Sequence, residues 1–356
     1  MAIKRVTMQD IADACNLSRN TVSKIFNDRG TVPEATRQMV IQKAEELGYM
    51  QFGIEKPVTT EPVEAAPAST PHTNTPSVKT IALLVKRIPD DYHFGALLLP
   101  SLTEKFSRYG YTLTMHEVRD NDLINRTLPK HLVLEQITGI ITIEIFDKDY
   151  LEMLSRLNIP MIAVDAFSGT GISIINYDFI SMENLASTIT LTSHIISKGA
   201  KNIGFIGDEK HCNSFHERFV GFSLALQNNN LQLKKELCIL KDDSEPYYDI
   251  NWLISQIKAM PYMPDAFVCA NDYLAINTIK ALKQMKVSIP DEILVAGFDG
   301  ILQSEVIEPS LTTVKIPSKE IGKMAAEMLL TRIKSPEKPF RKMHVATTPV
   351  FRNSTL

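Results

Sequence analysis

Val6-Thr-Met-Gln-Asp-Ile-Ala-Asp-Ala-Cys-Asn-Leu-Ser-Arg-Asn-Thr-Val-Ser-Lys-Ile-Phe-Asn27 is the stretch on which the reading of this chain turns. Thr7 is a good helix N-cap, and residues 8–15 can form a short helix with Ile11 and Ala12 inward. Ala12 is small enough for a close helix crossing. Asn16 stands where the turn wants a left-handed backbone, which Asn tolerates. Leu17 anchors the turn, and Ser18 caps a second helix, 19–26, with Val22, Ile25 and Phe26 on its buried side. Arg19, Asn20, Ser23 and Lys24 are left near the exposed face. Such a helix suits the major groove, where Arg pairs with guanine and Asn with adenine. Thr7, Ser18, Ser23 and Asn27 suit phosphates, which fix register without reading bases. A third helix, about 34–47, closes the bundle, with Pro33 at its start and Gly48 at its end.

Charge adds little to this. Residues 1–50 carry one net positive charge, and the whole chain carries −3. The expectation of double-stranded operator DNA as a partner therefore rests on local pattern, against the plainer reading of any three-helix module. The 356 residues, 44% hydrophobic and 22% charged, fit two or three folded units with a substantial core. The four cysteines, Cys15, Cys212, Cys238 and Cys269, form no C-x-x-C pair and no Cys/His cluster of zinc spacing. They read as reduced thiols of a cytoplasmic protein without metal or cofactor. The first residues have no apolar core of a secretory signal, and no run of apolar residues is long enough to span a membrane.

Beyond the headpiece (1–50) the composition changes. Residues 51–78 hold Pro57, Pro62, Pro67, Pro71 and Pro76 among Thr, Ala, Ser and Glu, which predicts an extended tether. Residues 79–356 alternate short apolar runs with helical patterns, the signature of α/β units with parallel sheets. Strands are expected at 81–86, 111–116, 139–143, 160–164, 202–206, 266–269 and 293–297. Helices are expected at 94–109, 123–136, 150–157, 182–197, 215–227, 272–285 and 318–333. Gly110 and Gly199 sit at left-handed helix ends. Two blocks repeat a β-α-β-α-β order, so a two-lobed core with a cleft between lobes is predicted. The first lobe is expected at about 79–175 plus 299–330, and the second at about 176–298 plus 331–356, with the strand-rich tail 343–351 returning to the second. Trp252, beside Leu253 and Ile257, reads as packing.

Within the core, Arg218 and Asp272 are the leading ligand candidates: a carboxylate at a strand end accepts from hydroxyls or amines, and a guanidinium fork holds oxygens. Asp165, at the end of a first-lobe strand, is a weaker candidate, as is Phe94. Each has a plainer reading: Asp272 as a helix cap, Arg218 in a surface ion pair, Asp165 as structural, Phe94 as core.

The pattern Val6-Thr7, Asp10-Ile11-Ala12, Ser18, Thr21-Val22-Ser23-Lys24, Asn27, Thr36-Arg37 and Leu47-Gly48-Tyr49 resembles the lactose-repressor/purine-repressor family. The likeness continues through Gly110-Tyr111, Gly139-Ile140-Ile141, Ile159-Pro160, Arg218-x-x-Gly221, Ala270-Asn271-Asp272, Pro290, Val295-Ala296-Gly297-Phe298-Asp299 and Leu311-Thr312-Thr313-Val314. The resemblance implies a periplasmic-binding-protein-like core and base selection by Arg19 and Asn20. It also implies effector contacts at the positions of Arg218 and Asp272, a pocket aromatic at Phe94, and a homodimeric regulator, more often a repressor, answering to a small polar effector such as a sugar or nucleoside.

Three departures stand out. After Tyr49 the family carries a hinge helix with an Asn-x-x-Ala-Arg-x-Leu pattern that wedges the minor groove; here Met-Gln-Phe-Gly-Ile-Glu-Lys-Pro follows. Phe179 after Asp178 replaces the usual Asn, and Gly300 after Asp299 replaces the usual Asp. A 28-residue tether spans roughly 30 Å as a coil, so loosely coupled headpieces are expected. The competing readings are an α/β sugar- or nucleotide-processing enzyme and a transport binding protein. No G-x-x-x-x-G-K-[ST], G-x-S-x-G or G-x-G-x-x-G motif supports the former, and the headpiece argues against the latter.

Overall fold

A computed structural model describes residues 8–26, 33–47, 79–88 and 94–356. The chain divides into two units, Met1–Asn74 and Thr75–Leu356. The predicted tether, the position of the missing hinge pattern, and Thr7, Asn27 and Gly48 lie outside the described residues, as do the side chains of Asn20, Lys24, Phe26 and Phe94.

The first unit holds α1 (Met8–Ala14), α2 (Arg19–Phe26) and α3 (Glu34–Glu46). Ile11, Ala12, Val22, Ile25, Val40 and Ala44 form its core, with Cys15 and Leu17 packed against it. Asn16 takes φ +54°, as the turn required, and the Leu17 amide returns to the Ala12 carbonyl at 2.9 Å.

The second unit opens with β1 (Lys79–Val85), α4 (Phe94–Arg108), β2 (Tyr111–Glu117), α5 (Asp120–Asn125), β3 (Ile137–Ile143), α6 (Lys148–Ser155), β4 (Met161–Val164) and β5 (Asp178–Met182). It continues with α7 (Leu185–Ser197), β6 (Ile203–Ile206), α8 (Asn213–Asn228), α9 (Ile250–Lys258), β7 (Ala266–Cys269), α10 (Asp272–Gln284), β8 (Leu294–Ala296), α11 (Gln303–Val306) and β9 (Thr313–Lys315). The chain ends with α12 (Ser318–Lys334), β10 (Lys342–Val345) and β11 (Thr348–Val350). Gly110 and Gly199 take φ +76° and +99°, the left-handed ends anticipated from sequence.

The first sheet runs β10-β5-β4-β3-β1-β2 and every described pairing in it is parallel. Its inner strands are buried along most of their length because helices cover both faces, whereas the edge strand β2 alternates in exposure. The strand order reverses between β1 and β3, so the loops after these strands part to opposite faces and leave a crevice at their carboxyl ends. The second sheet is β6-β7-β8, also parallel, with an antiparallel β9–β11 pair bridged to its β8 edge. Phe205, Phe219 and Phe222 pack together beside it, with centroids 5.3–6.4 Å apart. Each such fully buried ring contributes roughly 1.5–3 kcal/mol. Gly221 lets α8 press onto α7: a Cβ there would lie 2.7 Å from the Leu185 carbonyl oxygen.

These pairings redraw the expected lobe boundaries. β5, expected in the second lobe, belongs to the first sheet, where its buried run pairs β4. β9, expected in the first lobe, joins the second through β11. The tail divides, β10 completing the first sheet beside β5 and β11 pairing β9. The backbone therefore passes between lobes three times, after β5, after β9 and after β10. The helix expected over 123–136 is also not continuous: α5 ends at Asn125, Arg126 turns left-handed at φ +53°, and Pro129 follows. Trp252 packs edge-on to Tyr247 at 5.0 Å, as expected of a packing residue.

Candidate functional site

In the headpiece, Ser18 caps α2: its Oγ accepts from the Thr21 amide at 3.1 Å and shares a 2.8 Å hydrogen bond with the Thr21 hydroxyl. Val22 and Ile25 turn inward, so the opposite face of the same helix is outward, and Arg19 is exposed there. Ser18 is exposed and Ser23 half-buried. An exposed guanidinium in the first turn of a short capped helix can reach base edges if that helix enters a groove.

In the core, the carboxyl ends of the two sheets converge. Arg218 stands on α8, within the helix expected at 215–227, and is 3% exposed. Its Nε donates to Asn184 Oδ1 at 2.9 Å, and its Nη1 to the Ala270 carbonyl at 2.7 Å and to Asp299 Oδ1 at 3.2 Å. The guanidinium carbon lies 3.7 Å from the Phe298 ring centroid. Asn184 sits where the chain first crosses between lobes. Its Nδ2 donates to the Met182 carbonyl, to Ser214 Oγ and to Glu217 Oε2. Next to it, the Glu183 amide donates to the Val345 carbonyl, and the Thr347 hydroxyl donates to the Glu183 carbonyl. One buried cation is thus wired to two of the three crossings.

Three acids follow strands in left-handed backbone: Glu144 after β3 at φ +56°, Asp165 after β4 at +54°, and, in the other sheet, Asp299 beyond β8 at +120°. Such conformations cost of order 1–3 kcal/mol each and collect at sites that aim side chains. Burial raises the Asp299 carboxyl to about 6; Arg218 opposes this, while Glu144 and Asp165 add to it. Burial likewise raises Asp165, against favourable interactions with Ser214, the Ala166 amide and Arg218. The lobes also touch directly. The Asn213 amide donates to the Ala166 carbonyl at 2.9 Å, and the Phe146 ring meets His211 edge-on at 4.8 Å.

Asp272 corrects the expectation for that position. It is fully buried, its Oδ1 accepting from the Thr313 hydroxyl at 2.5 Å and its Oδ2 from the Ile301 amide at 3.0 Å. A Cβ on Gly297 would fall 2.4 Å from Asp272 Oδ1, so the glycine makes room for a carboxylate that points into the lobe. The cap of α10 is Asn271, whose Oδ1 accepts from the Leu274 amide. Asp299 is the acid that meets Arg218. It stood in the Gly297-Phe298-Asp299 run, but only the strand end's backbone turn reveals its aim. Glu144 and Asn184 carried no signal in the sequence. The one group of carboxylates spaced for a metal among the described residues is Asp208, Asp242 and Asp243. Their oxygens already accept from the Lys210, Asp243 and Ser244 amides and from His211, as in a solvated acidic turn.

Known proteins match both units. The family described as bacterial regulatory proteins, lacI family, matches residues 7–51, and a periplasmic binding protein-like domain matches 192–355. The HTH-type transcriptional repressor PurR of Photobacterium profundum is 27% identical over 350 residues, covering 98% of both chains. The transcriptional regulator CelR–cellobiose complex superposes with a TM-score of 0.68 at 20% identity, covering 98% of this chain and 100% of that one. The lac repressor dimer bound to operator and the anti-inducer ONPF superposes at 0.66 and 19% identity, covering 99% of this chain and 100% of the other. A helix-turn-helix headpiece joined to a two-lobed core of parallel sheets defines a DNA-binding transcription regulator. The headpiece matches the lacI family of such regulators, and the whole chain is similar to repressors of the lactose-repressor/purine-repressor type.

Proposed function

We propose that the chain is a cytoplasmic, homodimeric repressor without enzymatic activity, whose affinity for operator DNA is set by a small polar effector held between the lobes. The observation that carries this reading is Arg218, a buried cation that faces Asp299 and is bonded to Asn184 at a lobe crossing. An effector that engages Arg218 and the strand-end acids favours one lobe arrangement and so alters how the two headpieces are presented. Effector contacts are assigned to Arg218, Asp165 and Asp299, with Phe94 as the pocket aromatic that the family resemblance implies. DNA contacts are assigned to Thr7, Ser18, Arg19, Asn20, Ser23, Lys24 and Asn27, with Arg19 and Asn20 reading bases. A homodimer matches the two-fold symmetry of operators. No helix among the described residues is long and apolar enough to cross a membrane.

The test is a mobility shift with DNA from upstream of the protein's own gene, combined with a thermal-shift screen of sugars and nucleosides on the full chain. The reading requires salt-sensitive, sequence-selective binding that a stabilising ligand changes. Turnover of that ligand, or no selective DNA binding at any salt concentration, overturns it.

A further inference from the structure

We propose that residues 166–173, a strap between β4 and β5, and the first turn of α8 form a latch across the cleft, and that this latch sets how far the two lobes close. β4 and β5 both lie in the first sheet, so the strap begins and ends on the first lobe. Its contacts nevertheless reach α8, which precedes β7 in the second lobe. The Asn213 amide donates to the Ala166 carbonyl at 2.9 Å, and the Gly171 amide donates back to Asn213 Oδ1 at 3.1 Å. One asparagine thus holds the strap at two points.

Gly171 makes the approach possible. A Cβ there would lie 3.1 Å from Glu217 Oε1 and 3.4 Å from Asn213 Oδ1. A side chain at this position has to displace both groups or push α8 away. The other oxygen of Glu217 accepts from Asn184 Nδ2 at 2.8 Å, so the latch abuts the first crossing between lobes.

The strap is stiff and anchored from behind. Thr170 Oγ1 donates to the Phe167 carbonyl at 2.6 Å and Ser173 Oγ to the Gly169 carbonyl at 2.8 Å, closing tight turns around Gly169 at φ +85°. The Lys342 ammonium donates to the Thr170, Gly171 and Ser173 carbonyls. Lys342 opens β10, the strand that leads into the third crossing. A movement of α8 therefore pulls at Asn213 on a strap that is tied to β10.

The latch is balanced rather than locked. Asn213 is 1% exposed, and its Nδ2 is buried with no hydrogen-bond partner among the described residues. A stranded donor opposes closure, because water satisfies it once the lobes part. Two bonds made and one withheld narrow the gap between closed and open arrangements. Asp165 directly precedes Ala166, so a ligand that engages Asp165, on the reading of the cleft as the effector site, acts on the latch itself.

The experiment is hydrogen–deuterium exchange, read by mass spectrometry on the full chain with no ligand added, following peptides over 166–173 and 209–215. Both should be protected in the parent. Asn213→Ala and Gly171→Ala should each speed exchange in both peptides by about tenfold, and Lys342→Met should act in the same direction. Ile174 is 99% exposed, and Ile174→Ser should change neither peptide. Unaltered exchange over β3 and β7, with circular dichroism, checks that each variant keeps its fold. Faster exchange confined to 166–173, with 209–215 unchanged in both Asn213→Ala and Gly171→Ala, means a loop held only by its own lobe and overturns the proposal. An unprotected strap in the parent does the same. Neither result touches the effector reading, which the ligand screen decides.

Discussion

Arg218 lies over Phe298, the guanidinium carbon 3.7 Å from the ring centroid. The ring covers one face of the cation, and the Ala270 carbonyl and Asp299 accept from its edge, so the donors keep a fixed plane. Lysine can supply the charge but neither the stack nor the fork. Arg218→Lys should therefore keep the fold and lose about tenfold or more in effector affinity, measured by calorimetry with whichever compound the screen identifies. Undiminished binding would remove Arg218 from the site.

Acid should stabilise the core through its cleft. Asp299 sits at about 6 against an ordinary 3.8, and Asp165 and Asp272 are raised in the same direction, burial leading in each case. A raised carboxyl contributes stability that is full below its unfolded value and is lost as pH climbs through the folded value. For Asp299 that window runs from 3.8 to about 6. Asn at this position still offers an acceptor to Arg218. Melting temperatures of Asp299→Asn, followed across that window, should fall less with rising pH than those of the parent. Parallel curves would contradict the assignment.

Asp178 joins the two ends of the first lobe. It is fully buried, and Arg332 on α12 and Arg341 before β10 both bond its carboxylate, Arg332 at 3.1–3.2 Å and Arg341 at 3.1 Å through Nη2. Burial works to raise this carboxyl, yet the two arginines hold it below the ordinary range. Asp178→Ala leaves Arg332, 4% exposed, without its counter-ion and should cost about 3–5 kcal/mol in denaturant unfolding.

The headpiece separates folding from reading. Ser18→Ala removes the α2 cap and should cost about 1 kcal/mol of headpiece stability. Arg19 is exposed, so Arg19→Ala should leave stability unchanged. It should relax preference at one base pair by about 1–3 kcal/mol, read from competition binding with single-base operator variants.

Stepwise shortening of residues 51–78 tests whether the headpieces are loosely coupled. Small deletions should lower operator affinity gradually, as effective concentration changes. Abrupt loss after removing about ten of these residues, with both units folded, would mean that the segment docks as a rigid part.

The sequence reveals most where a local rule acts alone. Asn16 needed a left-handed turn, Ser18 a capping oxygen, and Gly110 and Gly199 helix ends, and each position follows from one residue's own chemistry. The strand cores at 81–85 and 266–269 were legible because burial on both faces demands unbroken apolar runs. β5 was not, since Asp178 and Ser181 interrupt its apolar character; Asp178 is tolerated there through arginines more than 150 residues away. The choice between Asp272 and Asp299 was equally non-local. Both follow strands, and only the space over Gly297 decides which of them turns inward.

The placement of β10 beside β5 has a consequence during synthesis. The first lobe begins near residue 79 yet lacks a strand until residue 345 has left the ribosome. The second lobe's β6, β7 and β8 are complete well before that. The lobe started first is therefore finished after the second lobe's sheet. A nonsense codon just before Lys342 would strip the β10 edge from the first sheet and expose β5 to other nascent chains.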